Sequence, residues 1–239
     1  GDQSDLNSNG GDITLSGGSD LNTGYSNGKG TTHGVHIGIN NPNANLIDSS
    51  GGDILIRGYA LSDNNSTTYY NGVLLSSGVS IDSGTGAVGI FGRSEDQYGF
   101  NIADGTSAGV TIKSEKTSGT AIELEGWSNN SLGLVFNYDV NKQLLATGGG
   151  DISLKGITTG FSNGIFLSDI DVLATTGKIS LNGGTKGITT GGSNPFAIIG
   201  SKTGDANIAS SSSNIEIISD TFDSFTSATE FNTTGSLTI

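Results

Sequence analysis

The chain has 239 residues, 40 of them Gly, and 23 acidic against 10 basic side chains give it a formal charge of −13. That charge repels phosphate backbones and excludes nucleic-acid binding. With no Cys there are no disulfides, Cys-ligated metals or thiol chemistry, and no apolar run reaches membrane-spanning length, which excludes helical membrane insertion.

A short phrase recurs from one end of the chain to the other, two apolar residues around one variable residue, bounded by Gly or polar turns. It reads Ile13/Leu15 in GGDITLSG, Ile54/Ile56 in GGDILIRG, Val88/Ile90 in GAVGIFG and Ile122/Leu124 in TAIELEG. It continues as Ile152/Leu154 in GDISLKG, Ile179/Leu181 in GKISLNG, Ile215/Ile217 in SNIEIIS and Leu237/Ile239 in GSLTI. Each copy is a minimal strand. Between copies come a second strand signal, at Val35/Ile37, Val73/Leu75, Phe100/Ile102, Leu134/Phe136, Ile165/Leu167 and Phe196/Ile198, and a third ending on Ile47, Ile81, Ile112, Leu145, Leu173 and Ile208.

The repeating unit is therefore a three-sided coil, and its uneven length is absorbed mostly in loops at the corner between first and second strands. The expected fold is all-β: one right-handed parallel β-helix, a β-solenoid over residues 1–239, with three strands per coil and about seven to eight coils. Irregular coil lengths argue against the left-handed form. The chain lacks Met and its last phrase stops inside a strand, so a segment of a longer chain or a subunit stacking head to tail is expected, since uncapped solenoid ends are templates for pairing.

The GGDITL, NGIFL and LATTGKISLNG phrases resemble the repeats of filamentous-haemagglutinin-like bacterial exoproteins exported by two-partner secretion. The resemblance implies a non-enzymatic shaft segment of an adhesin or structural filament, extracellular or at the cell surface and without cofactors. Its expected partners are itself or neighbouring segments of one fibre, packed end to end or laterally, and a glycan or a neighbouring cell surface. The alternative is a polysaccharide lyase or hydrolase, or a glycan-binding β-helix.

For that alternative the candidate carboxyl pair is Glu123 and Glu125, on one face of a strand and roughly 7 Å apart by strand rise, with Trp127 two residues on as a stacking ring. Tyr59, Tyr69 and Tyr70 are expected to share one long corner loop and are the preferred ligand-binding candidates. Leu74, Val135, Phe166, Leu144 and Val172 are expected to face outward as an apolar stripe, covered by loops near Leu74 and by another chain near the later coils. No metal site is expected: Asp12, Asp53 and Asp151 should bond turn amides, and His33 and His36 should point to opposite faces.

Overall fold

A computed structural model describes residues 5–29, 32–38, 45–62, 70–102, 108–137, 142–190, 196–199, 214–224 and 229–239. They form an all-β parallel β-solenoid, whose strands stack into three sheets of nine, seven and eight strands. The first wall contains the GGDITL-type strands, including Ile54–Leu61, Val88–Ser94, Thr120–Ser128, Asp151–Thr158 and Ile179–Gly184. The second contains Val73–Leu75, Phe100–Ile102, Leu134–Phe136 and Ile165–Leu167, and the third Val79–Asp82, Val110–Ser114, Lys142–Ala146 and Ile170–Ala174.

Alternation along each strand sends every second side chain inward. In the first wall the register stacks Ile13, Ile54, Val88, Ile122, Ile152, Ile179 and Ile215 in one inward column. With Leu15, Ile56, Ile90, Leu124, Leu154 and Leu181 beside it, this column joins those of the other walls in one continuous apolar core. Phe100 and Phe136 pack edge to face within that core, 6.4 Å between ring centroids.

The corners are built from small residues. Where the third wall turns into the first, Ser49, Ser83 and Ser114 are fully buried and the column passes to Ala146 and Ala174. The Ser83 hydroxyl donates to the Gly86 carbonyl at 2.7 Å, and the Gly86 N–H donates back to the Ser83 carbonyl at 3.1 Å, closing the turn from both sides.

At the corner from first to second wall, glycines meet across the chain: Gly58 with Gly72, Gly92 with Gly99, Gly126 with Gly133, and Gly156 with Gly164. A Cβ on Gly126 would run into the Gly133 carbonyl and one on Gly92 into that of Gly99, so the interior here is only two backbones thick. These glycines serve close approach, not only turns.

The third-wall register corrects two assignments. Ile112 pairs with Leu144 and Leu144 with Val172, so Leu144 and Val172, expected outward, are fully buried core residues, and Leu145 and Leu173 take the half-buried outer positions. Two adjacent leucines leave the facing ambiguous, and the Ser-to-Ala corner column two residues on resolves it. Phe196–Ile199, expected in the second wall, lies in the third, and Ile188–Thr190 takes the second-wall place. Thr189 and Thr190 disguise that strand by carrying no large apolar side chain. Ile208 lies outside the described residues.

Candidate functional site

The first wall's outer face gathers the chain's polar and aromatic chemistry. In the first turn the wall is interrupted: Ile13–Leu15 and Ser26–Lys29 both pair with the single strand Ile54–Leu61, and residues 16–25 leave the sheet between them. This insertion sets Tyr25 over the next strands. Its ring lies under both of the chain's arginines, 4.7 Å from the Arg93 guanidinium carbon and 5.5 Å from that of Arg57, and edge-on to Tyr59 at 6.5 Å. Arg57 also covers the Phe91 ring at 4.3 Å, and stacking of this kind holds guanidinium groups against aromatic faces without neutralising them.

Tyr59, Arg93 and Trp127 are register neighbours on adjacent strands. Tyr59, expected in a corner loop, and Trp127 therefore both sit on strands, because their strands run past the apolar pair and over the glycine corner. The Tyr59 hydroxyl donates to Glu95 at 2.8 Å, and the other Glu95 oxygen accepts the Ser62 N–H at 2.8 Å. Burial first, and then the Glu95 bond, pushes the Tyr59 hydroxyl up to about 12.

Tyr69 lies outside the described residues. Tyr70 points elsewhere, against His33 with ring centroids 5.7 Å apart. His33 and His36 do not diverge: their rings are 5.1 Å apart, because His33 precedes the strand Val35–Ile37 and the chain bends at Gly34. His33 Nδ1 accepts the Asn71 N–H at 3.0 Å, and His36 Nε2 is 2.9 Å from the Ser76 hydroxyl. Burial, with His36 adding to it, lowers His33 to about 4.

Glu123 and Glu125 do share the outer face of Thr120–Ser128. They differ in surroundings: Glu125 is paired with Lys155 of the next turn at 3.1 Å, whereas Glu123 is exposed and lines a groove of about 300 Å³. The groove crosses four first-wall strands. Asp12, Asp53 and Glu123 supply carboxylates, Leu55, Gly89 and Phe91 the floor, and Arg57 a flank. Asp12 and Asp53 each use one oxygen structurally, accepting the backbone N–H of Asp53 and Ala87 in the following turn at 2.8 and 2.7 Å. Asp151 bonds Lys178 N–H in the same way at 2.7 Å. The expected turn-amide role is thus a bond between turns.

The apolar stripe is largely closed within the chain. Leu74 and Val135 stand outside the core cluster yet are 8% and 1% exposed, and Phe166 is half-buried. Val135 therefore offers no open contact surface.

Sequence reasoning singles out Glu123, Tyr59 and Trp127 but not Arg57, Arg93, Phe91, Asp12 and Asp53 as their neighbours. Laying the repeats in register would have found the arginines, since Arg57 aligns with Phe91 and Arg93 with Tyr59. Comparison with family models, curated proteins and solved structures returns no match.

Proposed function

We propose that this chain is a non-enzymatic structural and adhesive segment of a secreted or cell-surface bacterial filament. In this reading residues 1–239 are one right-handed solenoid with three strands per coil and about seven to eight coils, associating with further segments of the same fibre. The observation that carries it is the inward apolar column repeated turn after turn and tied by bonds such as Asp53 to Ala87. That pattern supplies axial stiffness, while the outer face is free to vary.

The test is the size and place of the native protein. Immunoblots of fractionated source cells should find it at the surface or in the medium, in a polypeptide or assembly far larger than this chain. A monomer confined to the cell interior would sink the proposal.

A glycan-active solenoid is the second reading, favoured by the exposed Glu123 in the groove. Product release from a polysaccharide panel, lost in Glu123→Gln, would establish it.

A further inference from the structure

Gly89 is unlike the corner glycines. It is the second residue of the strand Val88–Ser94, without a positive φ, and the nearest atoms to a Cβ there belong to side chains, Phe91 Cε2 at 2.9 Å and Leu55 Cδ1 at 3.6 Å. Backbone packing does not demand glycine at this position, and glycine inside a strand weakens it. What its missing side chain does is let the Phe91 ring lie low across the outer row Thr14, Leu55, Gly89, Glu123, where a branched side chain would push the ring up into the groove.

The groove's chemistry is one-sided. Asp12 and Asp53 each spend one oxygen on the next turn's N–H, and Glu123 has no hydrogen bond or ion pair among the described residues. Against these acceptors stands Arg57, held over Phe91 and donating from Nη1 to the Tyr25 hydroxyl at 3.4 Å. Its Nε is buried with no hydrogen-bond partner among the described residues, so the guanidinium meets the groove through its outer edge alone. Three carboxylates outweigh one guanidinium in a chain of charge −13, so an anionic ligand is repelled and a cationic, donor-rich one is drawn in.

The spacing rules out a small ion. Asp53 and Glu123 lie on strands two turns apart, roughly 10 Å at the usual interstrand distance, and no group of three acidic or His side chains among the described residues could hold a metal. A flat ligand spanning several strands fits instead. We propose that this groove binds a short saccharide bearing free amines: its rings rest on Leu55 and Phe91, and its ammonium groups face Asp12, Asp53 and Glu123. The site supplies the adhesive part of the function proposed above. Its test is independent of location, since a protein found inside the cell that bound the saccharide would sink the filament reading and keep the site.

The experiment is calorimetric titration of the folded chain with a β-linked glucosamine trimer. The N-acetylated trimer, a glucose trimer and a glucuronate trimer serve as controls. The amine-bearing trimer should bind, at least tenfold more weakly at 0.5 M than at 0.05 M salt, and at least tenfold more tightly than any control. Glu123→Gln and Asp53→Asn should each weaken binding severalfold, and Gly89→Val should abolish it. Asp53→Asn is expected to keep the fold because Asn214 already accepts the Ser236 N–H from the equivalent place at 3.0 Å, so it serves even if Gly89→Val fails to fold. No binding of the amine-bearing trimer, equal binding of the acetylated or neutral trimers, or unchanged affinity in a folded Gly89→Val would overturn the proposal.

Discussion

The Asp53 carboxylate accepts the Ala87 backbone N–H at 2.7 Å, from the equivalent position one turn along. The same bond joins Asp12 to Asp53 at 2.8 Å, so Asp53 both donates through its backbone and accepts through its side chain. Asp53→Ala leaves the Ala87 N–H without that acceptor and should cost about 1 kcal/mol or slightly more, in the range of a charge-assisted bond at a partly wet site. Asp53→Asn should cost less than half as much. Chemical denaturation of the two variants beside the wild type measures the difference.

The glycine corner sets a sharper expectation. Gly126→Ala puts a methyl group against the Gly133 carbonyl, and because the obstacle is backbone the loss should reach about 3 kcal/mol, the upper end for overpacking. Gly119→Ala meets nothing within 4 Å. Its φ of +66° leaves only the left-handed strain, on the order of 1 kcal/mol. Thermal melts should rank the two variants in that order.

Leu144 and Leu145 separate core from surface within one dipeptide. Leu144→Asp should prevent folding, since it buries an unpaired carboxylate in the apolar column, whereas Leu145→Asp should lower stability by no more than about 1 kcal/mol. A folded Leu144→Asp beside an unfolded Leu145→Asp would reverse the facing of the two leucines in the third wall. Circular dichroism of the purified variants reads the outcome.

What was legible in the sequence follows from how strongly each strand declares its facing. Ile54/Ile56 and Ile152/Leu154 announce an inward pair with one residue between, and the register confirms them. Leu144 and Leu145 announce nothing, because two adjacent apolar residues fit either face. Ile188–Thr190 stayed hidden since its threonines do not look like core, although Thr190 is fully buried. The site was harder still. Tyr25 reaches Arg57 and Arg93 only because residues 16–25 leave the sheet and fold across it, and neither periodicity nor composition encodes that path. Glycine was ambiguous for a physical reason: a turn, a backbone contact and an opened groove all ask for the same residue.

Mild acid should destabilise the fold through His33. Its pKa in the folded chain is lowered from 6.5 to about 4, by burial first and then by His36. As pH falls from about 6.5 toward about 4, the unfolded chain takes up the proton before the folded one, and stability is lost through that window. Above 6.5 both states are neutral there and the contribution is complete. The partial exposure of the ring keeps the effect modest. His33→Gln should flatten the slope of melting temperature against pH between 6.5 and 4.5, and an unchanged slope would show that His33 does not carry it.

The paired glycines also decide where this chain can grow. Gly58 meets Gly72, and Gly156 meets Gly164, so segments of quite different length leave and re-enter the solenoid through the same backbone clasp. Closing a longer loop costs little once its ends are fixed, about 0.6 kcal/mol for each doubling. The corner is therefore a socket that takes a new surface loop without asking the core to change, and a lineage of such chains can trade what it displays while its interior stays constant.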